Sequence, residues 1–166
     1  FADLRGFTTV SESFKDDPAT LTSISNRIRT PLTSIVPAHE GTGDKYIGDC
    51  IMAFWNAPLD VDDHAEKAVQ AAVAMVDAMP GINAALEEEF GHSGFRLGVG
   101  VNSGSVVVGN MGSQTRFDYS VLGDAVNLSA RLEGQSKVYG VDIVVGEATQ
   151  GQIDKSRSSL VQIDQR

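Results

Sequence analysis

Leu21, Ile24, Ile28, Leu32 and Ile35 recur every three or four residues, which is the spacing of one apolar helix face. Asp17-Pro18 stands just ahead of them, a capping aspartate with proline at the first helical position. The pattern predicts a helix from that point, with Pro31 able to kink it and Pro37 ending it. A second stripe, Ala65, Ala68, Val69, Ala72, Met75, Val76 and Met79, marks a longer helix. Pro80-Gly81 predicts a break or kink there, before Ile82, Ala85 and Leu86 resume the stripe. Gly41 and Gly43 open a hairpin between the two helices, with strands at 44–47 and 50–55 turning at Gly48-Asp49. Residues 1–3 read as the end of a strand, and Gly6 lets the chain turn sharply after it. Downstream, 95–101 and 105–108 read as strands joined by a tight turn at Ser103-Gly104, and 119–122 as a short strand. Gly123 leads into a helix reaching about Lys137, followed by a strand at 142–145. The closing SSLVQIDQR also reads as a strand.

Strand and helix mix without strict alternation, which predicts an α+β fold: one domain over 1–166 with helices on an antiparallel sheet. In a split βαβ arrangement the first and third strands are neighbours, which brings Asp3 and Asp49 together. The formal charge of -9 excludes a nonspecific nucleic-acid or anionic-membrane surface. It leaves room for a polyanionic substrate neutralised by metal ions. Cys50 is the only cysteine, so no intrachain disulfide forms, and a reducing, cytoplasmic setting is expected. Within CIMAFW it reads as a small buried hydrophobe, and Phe54 and Trp55 as core. No apolar stretch approaching a membrane span of about 20 residues is evident, and no signal peptide. The abrupt Phe-Ala-Asp start suggests a fragment of a longer chain, which leaves membrane or sensor domains outside it open.

Two strand-end carboxylates beside glycine turns, Asp3 and Asp49, suit hard divalent cations, although aspartates in such places also cap turns. Asn127 and Arg131 are four apart and share a helix face; Arg131 is equally free to pair with Glu133 or another surface acid. Lys45 carries only donors, and pairing with Asp44 is its competing role. His39, His64 and His92 are too scattered to suggest zinc.

Three blocks occur in order: FADLRGFT, DKYIGDCIMAFWNAP and DYSVLGDAVNLSARLEG. Together they resemble the class III nucleotidyl cyclase catalytic domain, most closely bacterial adenylyl cyclases of the lysine with serine-or-threonine subset. The resemblance covers nearly the whole chain and implies a ferredoxin-like core. It implies conversion of ATP to 3′,5′-cyclic AMP and pyrophosphate, with two Mg²⁺ or Mn²⁺ ions per site held by Asp3 and Asp49. It implies that Gly6, Phe7 and Thr8 lie under the triphosphate, where backbone N–H groups attract phosphate oxygens. By the same resemblance Lys45 and Ser120 bind the base, Asn127 orients the ribose and Arg131 contacts phosphate in the transition state. The implied assembly is a head-to-tail homodimer with two shared sites. One protomer supplies Asp3 and Asp49, and the other supplies Lys45, Ser120, Asn127 and Arg131. Lysine at position 45 suits adenine, whose N1 accepts a hydrogen bond; guanylyl cyclases typically carry glutamate there. Ser120 stands where many members have aspartate, and small polar residues occur there in guanylyl cyclases too. Guanylyl cyclase is therefore one alternative. A catalytically impaired nucleotide-binding or dimerisation domain is another, because the family's triphosphate-binding lysine finds no match before Arg166.

Overall fold

The computed structural model describes residues 1–113 and 116–153. Strand β1 (Ala2–Arg5) passes through Gly6 into a short helix α1 (Phe7–Ser13) and then α2 (Pro18–Ala38). A hairpin of β2 (Thr42–Ile47) and β3 (Cys50–Phe54) precedes the long helix α3 (His64–Phe90). Then follow β4 (Arg96–Val101), β5 (Val107–Ser113), β6 (Arg116–Leu122), α4 (Asp124–Tyr139), β7 (Ile143–Val145) and α5 (Glu147–Gln150). The main sheet has five strands in the order β2-β3-β1-β4-β7, and β5 with β6 forms a separate two-stranded ribbon. In the centre, β1 pairs antiparallel with both β3 and β4. The α+β class expected from the element order is observed, with one parallel pair, β4–β7, at the sheet edge.

Helix α2 starts where its cap predicts: the Asp17 carboxylate accepts from the Thr20 N–H at 3.1 Å. Ile24, Ile28, Leu32 and Val36 follow at intervals of four and are sealed from solvent. Burying each such side chain contributes about 1.5–3 kcal/mol. They pack with Leu4 of β1, Leu97 and Val99 of β4, and Met75, Met79, Ile82 and Leu86 of α3. The prolines interrupt less than expected. Pro31 and Pro37 both lie inside α2, and α3 runs through Pro80-Gly81 as one helix of 27 residues. An interior proline costs about 3 kcal/mol. Core burial of Met75 and Met79 before it, and of Ile82 and Leu86 after it, offsets that cost and keeps the helix continuous. The continuous α3 corrects a second expectation. With 27 residues and a mean hydropathy of 1.3 over its most apolar window, it is long and apolar enough to cross a membrane. In this fold one face of it instead builds the domain core.

The opposite face of the sheet carries α4. Gly98 and Gly100 of β4 let it approach at backbone distance: a Cβ on Gly98 would meet Ser136 Oγ at 2.7 Å, and one on Gly100 would strike the backbone of Ser129 and Glu133. Ser129 Oγ donates to the Gly100 carbonyl at 3.0 Å and completes the contact. The expected turn from β4 straight into a partner strand is not formed. The next strand begins at Val107 and pairs with β6 from Val107–Leu122 onward. A small apolar cluster ties that ribbon back to the sheet, with Met52 and Phe54 of β3 against Val121, Val108 and Tyr119. The strand expected in SSLVQIDQR lies outside the described residues.

Candidate active site

Strand register brings the two aspartates together. Ala2 pairs with Ile51, so the antiparallel neighbours of 3 and 4 are 50 and 49. Asp49 sits in the β2–β3 turn, which Arg29 of α2 clamps by donating to the Gly48 carbonyl at 2.6 Å and covering the Tyr46 ring at 5.1 Å. Partial burial raises the carboxyl pKa of Asp3, the charge of Asp49 raises it further, and the Leu4 N–H opposes both. Two hard oxygen donors brought together suit Mg²⁺ or Mn²⁺, which take one or two protein carboxylates and fill the shell with water and phosphate. Among the described residues no group of three or more His, Cys, Asp or Glu side chains could hold a metal. Sequence reasoning missed Glu133, whose pKa is raised first by burial and then by Asp3. The signal was available in helical spacing, since 133 shares a face with Ser129 and Ser136, which dock on the sheet.

The turn after β1 takes its shape from Gly6, whose φ of 83° lies in the left-handed region. Phe7 is an anchor: its ring packs against the core, 6.2 Å from that of Phe95. Thr8 is exposed. The Val10 N–H is the one that reaches back to the Gly6 carbonyl, so the first-turn N–H groups ahead of it lack an intrahelical acceptor. What this turn offers a phosphate is backbone rather than the Phe7 side chain.

Lys45 and Ser120 lie far apart in sequence and converge on one residue, Asp44. The Ser120 hydroxyl donates to Asp44 Oδ2 at 2.6 Å. The Lys45 ammonium lies 3.2 Å from Asp44 Oδ1; the Asp44 side chain is fully enclosed and that of Lys45 is 35 % exposed. The register of β2 on β3 shifts between Gly43 and Lys45, leaving Asp44 in a bulge. Regular alternation would send 44 and 45 to opposite faces of the sheet. The bulge cancels it, which explains why spacing alone understates Asp44. Its pairing with Lys45, the competing role for that lysine, is present and runs through the residue that also holds Ser120.

Asn127 and Arg131 are exposed on α4. Ser129, two positions after Asn127, faces the sheet, and a two-residue step turns a helix by more than half a circle. The Asn127–Arg131 face therefore points away from its own sheet. Arg131 forms no ion pair among the described residues, so the expected alternative pairing with Glu133 is not made. Cys50 is half-buried rather than buried, and burial pushes its thiol up to about 11. Trp55 packs against the core and donates to the His39 carbonyl at 2.9 Å. Asp3 and Asp49 thus form one group, Lys45 and Ser120 a second, and Asn127 with Arg131 a third, exposed and without an ion pair among the described residues.

The family model for the adenylate and guanylate cyclase catalytic domain matches residues 1–165. Adenylate cyclase 1 of Rhizobium meliloti is 34 % identical over 152 residues, which is 92 % of this chain and 22 % of that protein. The adenylate cyclase of Anabaena cylindrica is 34 % identical over 151 residues, covering 89 % of this chain and 29 % of its own length. The chain therefore spans less than a third of either relative. Among solved structures, an adenylyl cyclase from P. aeruginosa superposes with a TM-score of 0.81 at 30 % identity, covering 91 % of this chain and 76 % of that one. A guanylyl cyclase superposes equally well, at 0.81 and 32 % identity over 91 % of this chain and 74 % of its own. On the match along 1–165 and these likenesses, the chain belongs to the adenylate and guanylate cyclase catalytic domain family.

Proposed function

We propose that this chain is an adenylyl cyclase catalytic domain that converts ATP to 3′,5′-cyclic AMP and pyrophosphate in a cytoplasmic setting, as a homodimer with two shared sites. The supporting observation is the convergence of Lys45 and Ser120 on Asp44, a donor and a hydroxyl side by side. Adenine N1 accepts from the lysine, and the adenine amino group donates to the serine. Fold similarity does not separate the two bases, since the adenylyl and guanylyl cyclase structures match at the same TM-score of 0.81.

Asp3 and Asp49 would hold the two Mg²⁺ or Mn²⁺ ions. Bound there, such ions supply acidification of a hydroxyl and neutralisation of phosphate charge. The ribose 3′-oxygen forms a bond to the α-phosphorus, the bond from that phosphorus to the bridging oxygen breaks, and the hydroxyl proton passes to solvent. Asn127 orients the ribose. Arg131 meets the charge that builds on the phosphate oxygens, for which its planar fork of donors is suited. The N–H groups of the Gly6-Phe7-Thr8 turn cradle the triphosphate. The outward face of α4 supports the shared-site arrangement, because side chains that avoid their own sheet are free to reach a partner's aspartates.

Incubation with ATP or GTP and Mn²⁺, followed by product identification and kcat/KM for each, tests this reading. ATP is expected to be preferred clearly. Replacing Lys45 with Glu should erode the preference before it creates a good guanylyl cyclase, because the surrounding pocket stays shaped for adenine. A wild-type ratio near one, or one unmoved by Lys45→Glu, overturns the assignment of the base.

A further inference from the structure

Ser120 alone is ambiguous, because a hydroxyl both donates and accepts and could serve adenine's amino group or guanine's carbonyl. Its setting removes the ambiguity. We propose that Asp44 is a specificity-determining positioning residue, which fixes the hydrogen-bonding polarity of the base site by committing the Ser120 proton to itself. This rests on the adenylyl cyclase reading above and deepens it.

The distance from Ser120 Oγ to Asp44 Oδ2 is 2.6 Å, the short range of a hydroxyl donating to a carboxylate. With its only proton spent there, Ser120 presents lone pairs alone to a ligand. The Asp44 side chain is fully enclosed, so water does not compete for its oxygens. Lys45 completes the arrangement. Its ammonium lies 3.2 Å from Asp44 Oδ1, yet that oxygen has no aligned hydrogen bond. The lysine balances the buried charge without spending a well-directed N–H on it, and its donors remain for the base. The result is an acceptor at Ser120 beside a donor at Lys45. Adenine presents the complement, an amino donor beside the N1 acceptor. Guanine presents the reverse, with O6 facing the serine lone pairs and N1–H facing the ammonium. The bulge at Asp44 makes this possible, by bringing consecutive residues of one strand to the same place. A carboxylate one residue before Lys45 thereby settles what the hydroxyl at 120 leaves open.

The experiment measures kcat/KM with Mn²⁺ for ATP, GTP and purine riboside 5′-triphosphate, which lacks the 6-amino group, in wild type and in Asp44→Asn. The asparagine keeps the shape but can donate to Ser120, freeing the serine proton. Wild type is expected to favour ATP over the purine analogue by about tenfold, the size of one hydrogen bond to a polarised acceptor. In Asp44→Asn that ratio should collapse toward one and the ATP-to-GTP ratio should fall by about tenfold as well. A purely structural role for Asp44 would lower all three substrates together and leave both ratios unchanged, and that result overturns the proposal. If the variant does not fold, wild type alone decides, because equal use of ATP and the purine analogue means that Ser120 does not accept from the amino group. Failure of the underlying reading looks different: wild type would then lack a preference for ATP over GTP in the first place.

Discussion

The two aspartates of β1 and the β2–β3 turn contrast sharply with the Asn127–Arg131 face of α4. The aspartates are placed by the backbone. Pairing of Ala2 with Ile51 brings them together, an arginine from α2 clamps the turn that holds Asp49, and burial, then the charge of Asp49, raises the pKa of Asp3. The α4 face is placed by what it avoids. Ser129, Glu133 and Ser136 occupy the contact with the sheet, and Asn127 and Arg131 are turned outward without an ion pair among the described residues. One region holds strain that a cation would relieve; the other holds unused donors. The proposed chemistry draws on both, carboxylates for a cation in one region and side chains turned away from the sheet in the other.

The largest effect should come from breaking the first region. Asp3→Ala or Asp49→Ala is expected to abolish turnover while circular dichroism shows the fold retained. Near-normal activity in either variant would sink the metal assignment. Breaking the second region should cost less: Arg131→Ala is expected to lower kcat on the order of 10²-fold, by analogy with arginines that stabilise phosphoryl transfer. Because Arg131 is exposed, its loss should leave the melting temperature unchanged. Mixing the inactive Asp49→Ala protein with the strongly weakened Arg131→Ala protein joins the two tests. Random pairing makes about half the dimers mixed, each with one intact site, so roughly a quarter of wild-type activity should return. A mixture that stays inactive although subunits exchange excludes shared sites.

Two smaller effects sharpen the comparison on the side of stability. Gly100→Ala should destabilise the domain by about 1–3 kcal/mol, the usual range for overpacking, because its Cβ would strike the α4 backbone. Denaturant melts that match wild type would show that the α4 backbone gives way to a methyl group at this contact. Asp3→Asn should instead stabilise the metal-free protein at neutral pH. The raised pKa of Asp3 means that the folded chain holds the proton more tightly than the unfolded chain. Stability therefore falls as pH climbs from the ordinary aspartate range through the raised value, and it stays lower above that. Asparagine has no such slope. Thermal melts across pH that superimpose for the two proteins would contradict the raised carboxyl of Asp3.

Much of this was readable in the sequence, and the exceptions share a cause. Asp17-Pro18 and the Ile24, Ile28, Leu32 spacing announce α2, because cap chemistry and helical period are local properties. The meeting of Asp3 with Asp49 follows once the strand order is known. Of the break or kink that Pro80 signals, the break is not made, since distant packing of Met79, Ile82 and Leu86 carries the helix through. The partner of β5 is misjudged for a similar reason, because the turn at Ser103-Gly104 does not dictate which strand comes next. Asp44 is understated because one extra residue in β2 reverses which side a carboxylate faces. Departures from the regular period are invisible to reasoning that relies on the period.

Trp55, the only tryptophan in the chain, ties the carbonyl of His39 just beyond α2 to the strand that follows the Asp49 turn. Its indole lies so close over Gly41 that a Cβ there would sit 2.6 Å from the ring. The protein thus carries a single indole fluorophore, separable from its tyrosines by excitation at the red edge, wedged between the end of a core helix and the hairpin. Any movement of the hairpin relative to α2 would change the polarity around that one ring, and its emission would report the movement without an attached dye.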